Sequence, residues 1–588
     1  MTLRRFTTAV DAIERALHAF SDVRPLAARE LSAYGRDFAA GWEIPQLIEG
    51  RDLKLRVLVP ETAPYSPPRV AVTPACTPLS WPHLEEQGLL CLLPEGATHE
   101  LDAPGELALD LLSDGATVTK AGLAGSNATE FEDEFLSYWA QWPKRTAVMF
   151  SGCRASGPSR WISAWYSTAG VFLGETDESL QAWLRHRFSE KPPKDYATQR
   201  IPLLWLPVAP HPDRYPGSVA DLSSLIAEPD AALLREHLLD RRADHRSVVL
   251  GCSTRRGSAL FGVRITEPHR TRKGGHSLSD GFRPNNVPNA TLVTRYQGTP
   301  LVGADVRRVD GQWVHGRDSN LDLKELSGKS ALIFGAGAVG SSVATLLVKA
   351  GVGRTTVVDP QSFASENASR HELGIDRVGA NKAEALAEAL QKRLPHLEIR
   401  GSGASCADFC KKHESDVQNA DLVISATADW TTETWLNSWT MENRAGRATM
   451  FGWLEPFAAA GHAIVGWGKA PCLRCLLDAS GKLRLSATAW PGKTTRDIPA
   501  CGGEFQPYGA VELAHVNALI GGLALDVLQG RVLDPAHRVW VGRTDYLTRI
   551  GGYWSPAWIA ERGDPVTGGA IQELLYQRDP QCAECSSA

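Results

Sequence analysis

At 588 residues the chain is longer than a single hydrophobic core usually supports, so several packed domains are expected. Hydrophobic residues make up 43% and charged residues 22%, which excludes a chain dominated by disorder. A formal charge of -5 leaves no basic footprint for nucleic acid. No unbroken apolar run has the length of a membrane span and the N-terminus lacks a signal-peptide core, so the expected location is the cytoplasm.

Residues 5–35 read as helix, 53–59 as a strand and 60–94 as a proline-dense stretch of turns. Helical patterns return at 104–112 and 130–142, before a break at Pro143 and Lys144. This predicts a small α+β domain over residues 1–145. Residues 146–310 form a middle domain, α/β or α+β. Its strands are expected at 161–172, 201–208 and 247–250, its helices at 178–188 and 230–239, and no motif in it names a chemistry. Residues 273–288, rich in Gly, Pro and Asn, read as a loop. Residues 311–588 alternate strand, glycine turn, helix and strand, the pattern of a doubly wound α/β domain.

In the first domain Ala63-Pro-Tyr65-Ser-Pro67-Pro68 is followed by Trp81-Pro82-His83 and Gly88-Leu-Leu-Cys91-Leu92. Prolines stiffen a surface loop, so one exposed thiol can receive an acyl group while a nearby donor stabilises the oxyanion.

In the last domain the apolar run 330–334 leads into Gly335-Ala-Gly337-Ala-Val-Gly340 and a helix over 341–350. The glycines allow a tight turn and close approach of backbone to phosphate, with helix N–H groups facing the anion. A strand at 354–358 ends in Asp359, placed for ribose hydroxyls. These features alone leave NAD and ATP both open, with an NAD-dependent oxidoreductase the commoner reading. Asn367, Arg370 and Lys382 supply an amide, a guanidinium and an ammonium, which suit triphosphate oxygens better than a nicotinamide. A third strand, 421–425, leads to Asp429, where Mg²⁺ bridging phosphates would be held.

Cys472-Leu-Arg-Cys475 and Cys582-Ala-Glu-Cys585 are two thiolate pairs spaced to share one structural Zn²⁺. Between them lies Cys501-Gly-Gly-Glu-Phe-Gln-Pro-Tyr-Gly, a thiol on a glycine-flanked loop, which can move to an acyl-adenylate and displace AMP. The apolar residues 511–528 that follow read as a long helix.

On these residues the stretch from Leu321 to Cys585 resembles the ThiF/MoeB/ubiquitin-activating superfamily. The resemblance implies ATP binding, adenylation of a C-terminal glycine carboxylate, homodimerisation, and a catalytic cysteine between the zinc pairs, here Cys501. The first domain resembles ubiquitin-conjugating enzymes, with Cys91 as acceptor cysteine. His83 stands where that family has asparagine, so an imidazole would serve the oxyanion.

The order of the two, together with Trp453-Leu-Glu455-Pro456, Gly461-His462 and the run after Cys501, resembles the Cap2 class of fused ligases of bacterial CBASS antiphage operons. That resemblance implies a protein donor with a free C-terminal tail, either a cGAS-like nucleotidyltransferase or a ubiquitin-like modifier, and a target lysine. Sulfur-carrier activation is another reading, and a non-catalytic nucleotide-binding scaffold a third. Intact Arg370, Lys382 and Asp429 speak against the scaffold.

Overall fold

The computed structural model describes residues 2–35, 37–94, 96–142, 145–188, 197–240, 245–266, 278, 281–283, 286–478, 480–497 and 504–585. The chain divides into two compact units, Met1–Asp177 with Ala197–Arg308, and Glu178–Tyr196 with Val309–Ala588.

The first unit opens with helix Thr2–Leu17 and an antiparallel sheet in the order Arg24–Pro25, Phe38–Ile48, Arg51–Pro60, Arg69–Thr73 and Leu89–Leu90. Ile13 and Leu17 of that helix and Leu111 and Leu112 of helix Pro104–Ala124 bury against Ile44, Leu55 and Val57 of the sheet. The expected helix over 5–35 stops at Leu17, because Asp22 takes a left-handed φ of 60° and Pro25 pairs with Trp42 in the sheet. Strand Phe38–Ile48 was not anticipated: its Ala-Ala-Gly opening and Pro45 mask the alternation.

Seven strands of the same unit close into a barrel, in the order Arg246–Thr254, Gly257–Ile265, Leu301–Arg308, Arg145–Ser151, Gly170–Gly174, Arg160–Ser167 and Gln199–Trp205. Ile162, Leu173, Leu203, Val249 and Leu260 form a packed core rather than a channel. The strand expected over 161–172 is a hairpin that turns at Thr168 and Ala169 and resumes at Gly170, whose φ of 132° suits glycine. Phe135 and Trp139 of helix Phe135–Ala140 pack on Leu250 and Phe261, and Trp139 Nε1 donates to the Ala304 carbonyl at 3.2 Å. Most of the loop expected over 273–288 lies outside the described residues.

The second unit is built on an eight-stranded sheet in the order Glu398–Ser402, Arg354–Val358, Ser330–Phe334, Leu422–Ser425, Ala448–Leu454, Ala460–Gly466, Ala536–Arg543 and Gly568–Leu574. The first five strands are parallel and the last three antiparallel. Helices Ala338–Ala350, Lys382–Arg393 and Ala510–Leu528 bury one face, and Trp430–Asn443 and Cys406–Lys412 the other. The edge strand Glu398–Ser402 escaped the sequence reading because its polar residues break the apolar run.

Helix Ala510–Leu528 has the length and composition of a membrane span. Val516, Ile520 and Leu523 nevertheless pack in this core, and glycine at 452 and 461 lets the helix lie close, since a Cβ there would meet Ile520 and Val516 at 2.6 and 2.2 Å.

Strand order reverses between Ser330–Phe334 and Leu422–Ser425, the switch point where open α/β sheets leave a crevice at their carboxyl ends. Gly335, at φ 93°, turns the chain there, and a Cβ on Gly340 would lie 1.8 Å from the Gly335 carbonyl oxygen. Gly340→Ala is therefore expected to cost about 3 kcal/mol or more, read as a lower denaturant midpoint of the full chain. An unchanged midpoint would show that the turn is not this tight.

Candidate functional site

The glycine turn and Asp359 meet at the switch point. Asp359 is buried and accepts from the backbone N–H of Ala336 at 2.6 Å and of Gln361 at 2.7 Å. The Asn381 amide donates to the Asp359 carbonyl at 2.8 Å and caps helix Lys382–Arg393 through Glu384 N–H, which fixes the start of that helix beside the turn. Buried Lys382 points its Nζ at Gln361 Oε1, 2.7 Å away. A Cβ on Gly337 would meet nothing within 4 Å, so the space above this glycine is open.

Asn367 accepts from Ala364 N–H at 3.0 Å and sets the short turn that presents Arg370. The Arg370 guanidinium lies 4.8 Å from the Phe505 ring centroid and 5.4 Å from that of Tyr508. His371, the next residue, donates from Nε2 to the Ala336 carbonyl at 2.6 Å while Nδ1 accepts from Leu373 N–H. Burial holds its pKa below the ordinary value, so the ring is a neutral strut between this turn and the glycines.

Across the switch point Asp429 caps helix Trp430–Asn443. Its Oδ2 accepts from Thr432 N–H at 2.8 Å and from the Thr432 hydroxyl at 2.5 Å, while Oδ1 has no protein partner among the described residues. Glu433, one turn further on, was missed by the sequence reading. It is buried with Oε1 3.3 Å from Thr427 Oγ1, and burial, with the nearby Asp429 charge, pushes its pKa up to about 7. Spacing four residues after Asp429 on one helix face was the available signal.

Cys501 lies outside the described residues, but both flanks are described. Arg496–Asp497 pairs with Glu504–Phe505 in a short antiparallel ladder, and Lys493 bridges Asp497 and Glu504 at 2.5 and 2.7 Å. Upstream, buried Glu455 accepts from Ala487 N–H (2.7 Å), Thr488 N–H (2.8 Å), the Thr488 hydroxyl (2.5 Å) and His462 Nε2 (2.8 Å). His462 Nδ1 then reaches His537 Nε2 at 3.0 Å, and the Trp453 ring stacks on His462. Burial acts to raise the Glu455 pKa, yet the bonds from His462, Thr488 and Ala487 leave it below its ordinary value. A charged carboxylate thus anchors the root of the segment that runs to Cys501.

The four paired cysteines come together: Cys472, Cys475, Cys582 and Cys585 are buried, with all Sγ atoms within 4.8 Å of one another. Cys472 and Cys582 are 3.7 Å apart, Cys475 and Cys585 3.4 Å. A tetrahedral ion with thiolates at about 2.3 Å would space sulfurs by about 3.8 Å, so this set fits a metal with no open position.

In the first unit Cys91 is exposed on a cavity of about 490 Å³ lined by Tyr65, Pro67, Arg69, Leu92 and His99. Burial by these walls, then the Glu85 charge, raise its thiol pKa, partly offset by Arg69. Cys91 N–H donates to the His83 carbonyl at 2.9 Å. The His83 ring faces elsewhere: Nε2 is 2.8 Å from Glu130 and Nδ1 3.9 Å from Glu134. Arg256 and Arg255 of the barrel pair with Glu134 and Asp133, so the barrel braces the turn that holds His83.

The buried histidine pair makes the second unit acid-sensitive. Burial, with His462 beside it, pushes His537 down to about 2 from 6.5. The unfolded chain therefore takes up a proton below pH 6.5 that the folded chain refuses, and stability falls as pH falls. Acidification from about pH 7 to about pH 5 should cost about 2 kcal/mol through this residue. His537→Gln should flatten that part of the pH dependence, and an equally steep loss in the variant would assign it to other groups.

Residues 296–532 match the ThiF family and residues 16–148 match Prokaryotic E2 family B. The chain is 25% identical over 482 residues, 80% of its own length and 84% of the relative's, to the ATP-dependent ubiquitin transferase-like protein Cap2 of Pseudomonas aeruginosa (strain BWHPSA011 / Pa011). It is 27% identical over 157 residues, 26% of its length and 46% of the relative's, to the sulfur carrier protein ThiS adenylyltransferase of Bacillus subtilis (strain 168). Among solved structures, E. coli MccB with ATP is 17% identical, over 45% of this chain and 69% of that one, with a TM-score of 0.32. An E2-type unit ahead of a ThiF-type unit, and a relative aligned along most of both chains, place this chain in the Cap2 class of fused E2–E1-like enzymes with ATP-dependent, ubiquitin-transferase-like adenylating activity.

Proposed function

We propose that this enzyme adenylates the C-terminal glycine of a partner protein, takes the acyl group onto Cys501, passes it to Cys91 and joins it to a target lysine. The observation that carries this reading is Cys91, an exposed thiol on a cavity of about 490 Å³, in a chain whose other unit gathers Asp359, Lys382 and Asp429 around a glycine turn.

In this reading the donor carboxylate attacks the α-phosphorus of ATP and pyrophosphate leaves. Asp359 takes the ribose hydroxyls. Gly335, Gly337 and Gly340 admit the phosphates to the helix N-terminus, and Asn367, Arg370 and Lys382 oppose their charge. Asp429 Oδ1 would hold Mg²⁺, which neutralises phosphate charge when bound. The Cys501 thiolate then attacks the acyl-adenylate carbonyl and AMP leaves. Exchange onto Cys91 frees Cys501, and attack by the lysine amine forms the amide and frees Cys91. One polypeptide raises the effective concentration of the two thiols. His83 acts through its carbonyl, which fixes Cys91, and its ring braces the Glu130 turn instead of meeting the oxyanion.

The four cysteines hold Zn²⁺, the enzyme works as a homodimer in the cytoplasm, and residues 1–145, 146–310 and 311–588 act as conjugating, connecting and adenylating parts. The donor is a cGAS-like nucleotidyltransferase in antiphage defence. A ubiquitin-like modifier is the second reading, favoured by similarity to the ubiquitin transferase-like protein of Pseudomonas aeruginosa.

Both Cys501→Ala and Cys91→Ala should retain ATP–pyrophosphate exchange with a donor tail. Cys501→Ala should form no reducible adduct, whereas Cys91→Ala should stop at Cys501 with conjugation lowered by about 100-fold or more. Conjugation at the wild-type rate in Cys91→Ala would end the two-thiol relay. Purified chain should also carry one zinc, measured by plasma emission, and a strong chelator should lower the melting temperature of the second unit. Full stability without metal would make the four cysteines an ordinary buried cluster.

A further inference from the structure

Arg370 is half-buried, and among the described residues it has no carboxylate partner and no side-chain hydrogen bond. What holds it instead is aromatic: Phe505 at 4.8 Å and Tyr508 at 5.4 Å, both from the segment that follows Cys501. Tyr508 is itself fixed, by a backbone bridge to Phe457, and Phe505 by its pairing with Arg496. Ring faces attract the cation through their quadrupoles. They leave the N–H donors, which lie in the guanidinium plane, unspent. An arginine tied to a carboxylate would have used that fork. One stacked on rings presents it to an incoming anion.

We propose that Phe505 and Tyr508 are positioning residues that hold Arg370 ready for the polyphosphate of ATP, so that the Cys501 segment helps to complete the adenylation site. This rests on the adenylating reading above and adds a role for the thiol-bearing segment before any thioester forms. Energy spent on orienting a long, flexible side chain is then met before the nucleotide arrives, which is where preorganisation raises affinity. It also makes nucleotide binding sensitive to the position of that segment, because the clamp and Cys501 share one short piece of chain.

Binding of Mg·ATP and of AMP to the purified full chain, measured by calorimetry, tests this. The Phe505→Leu/Tyr508→Leu double variant keeps apolar bulk and loses the ring faces. It should bind Mg·ATP roughly tenfold more weakly, with AMP affinity within about twofold of wild type, since AMP lacks the β- and γ-phosphates. Phe505→Tyr with Tyr508→Phe should restore wild-type Mg·ATP affinity. If the double variant melts early, Phe505→Leu alone carries the test, with roughly a threefold loss expected. Unchanged Mg·ATP affinity in the leucine variants, or equal losses for ATP and AMP, would overturn the clamp and leave the adenylating reading standing. A wild-type chain that binds neither nucleotide would overturn both.

Discussion

The approach of Gly340 to the Gly335 carbonyl fixes where helix Ala338–Ala350 starts beside Asp359. With only hydrogens at both positions, helix Ala338–Ala350 starts directly over the end of its strand, and its N-terminal N–H groups face the crevice where Asp359 and Asp429 emerge. Asp359 is then satisfied by two backbone N–H groups and Lys382 by a neutral amide oxygen. Two buried groups of opposite charge stand near one another without forming an ion pair among the described residues. A folded chain gains little from that arrangement alone, since buried charge is costly unless compensated. A ligand with hydroxyls at one end and phosphates at the other compensates both.

The parts of this site that lie at strand ends were legible in the sequence, because fully buried parallel strands are short apolar runs with sharp limits. Ser330–Phe334 and Arg354–Val358 fall where the apolar runs 330–334 and 354–358 end in Gly335 and Asp359. The two Cys-x-x-Cys pairs were legible for a different reason: their spacing is local although their meeting is not. What escaped was set by packing. Glu433 is ordinary in sequence and unusual only because its helix is buried. Phe505 and Tyr508 gain meaning only when Arg370 lies between their rings. Glu455 and His462 stood out through resemblance, yet His537 did not. It sits one diagonal step from His462 on the neighbouring strand, two residues from its partner Val539, a relation that exists only after the sheet register is known.

In the first unit the sequence pattern was weaker for a related reason. An antiparallel strand with one solvated face carries fewer apolar residues, and Phe38–Ile48 adds Gly41 and Pro45 to that deficit. The prolines around Cys91 were easier to read than the sheet supporting them. Helix Phe135–Ala140 then packs Phe135 and Trp139 on the outer face of the barrel, so the barrel belongs to the same compact unit as the first sheet. The same barrel supplies Arg255 and Arg256 to the acidic turn behind His83.

The described chain on either side of Cys501 is held at three points of unequal strength. Glu455 fixes Ala487 and Thr488, Arg370 meets Phe505, and Phe457 pairs with Tyr508. Freeing the downstream flank requires Phe505 and Tyr508 to leave Arg370 and the ladder with Arg496–Asp497 to open. The cost is modest, because cation–π contacts and two exposed strand pairs are each worth about 1 kcal/mol. The Glu455 anchor is of another order, with a buried carboxylate holding two backbone N–H groups. Of the described flanks, the one carrying Phe505 and Tyr508 is therefore the weaker attachment, and Ala487 and Thr488 on Glu455 the stronger.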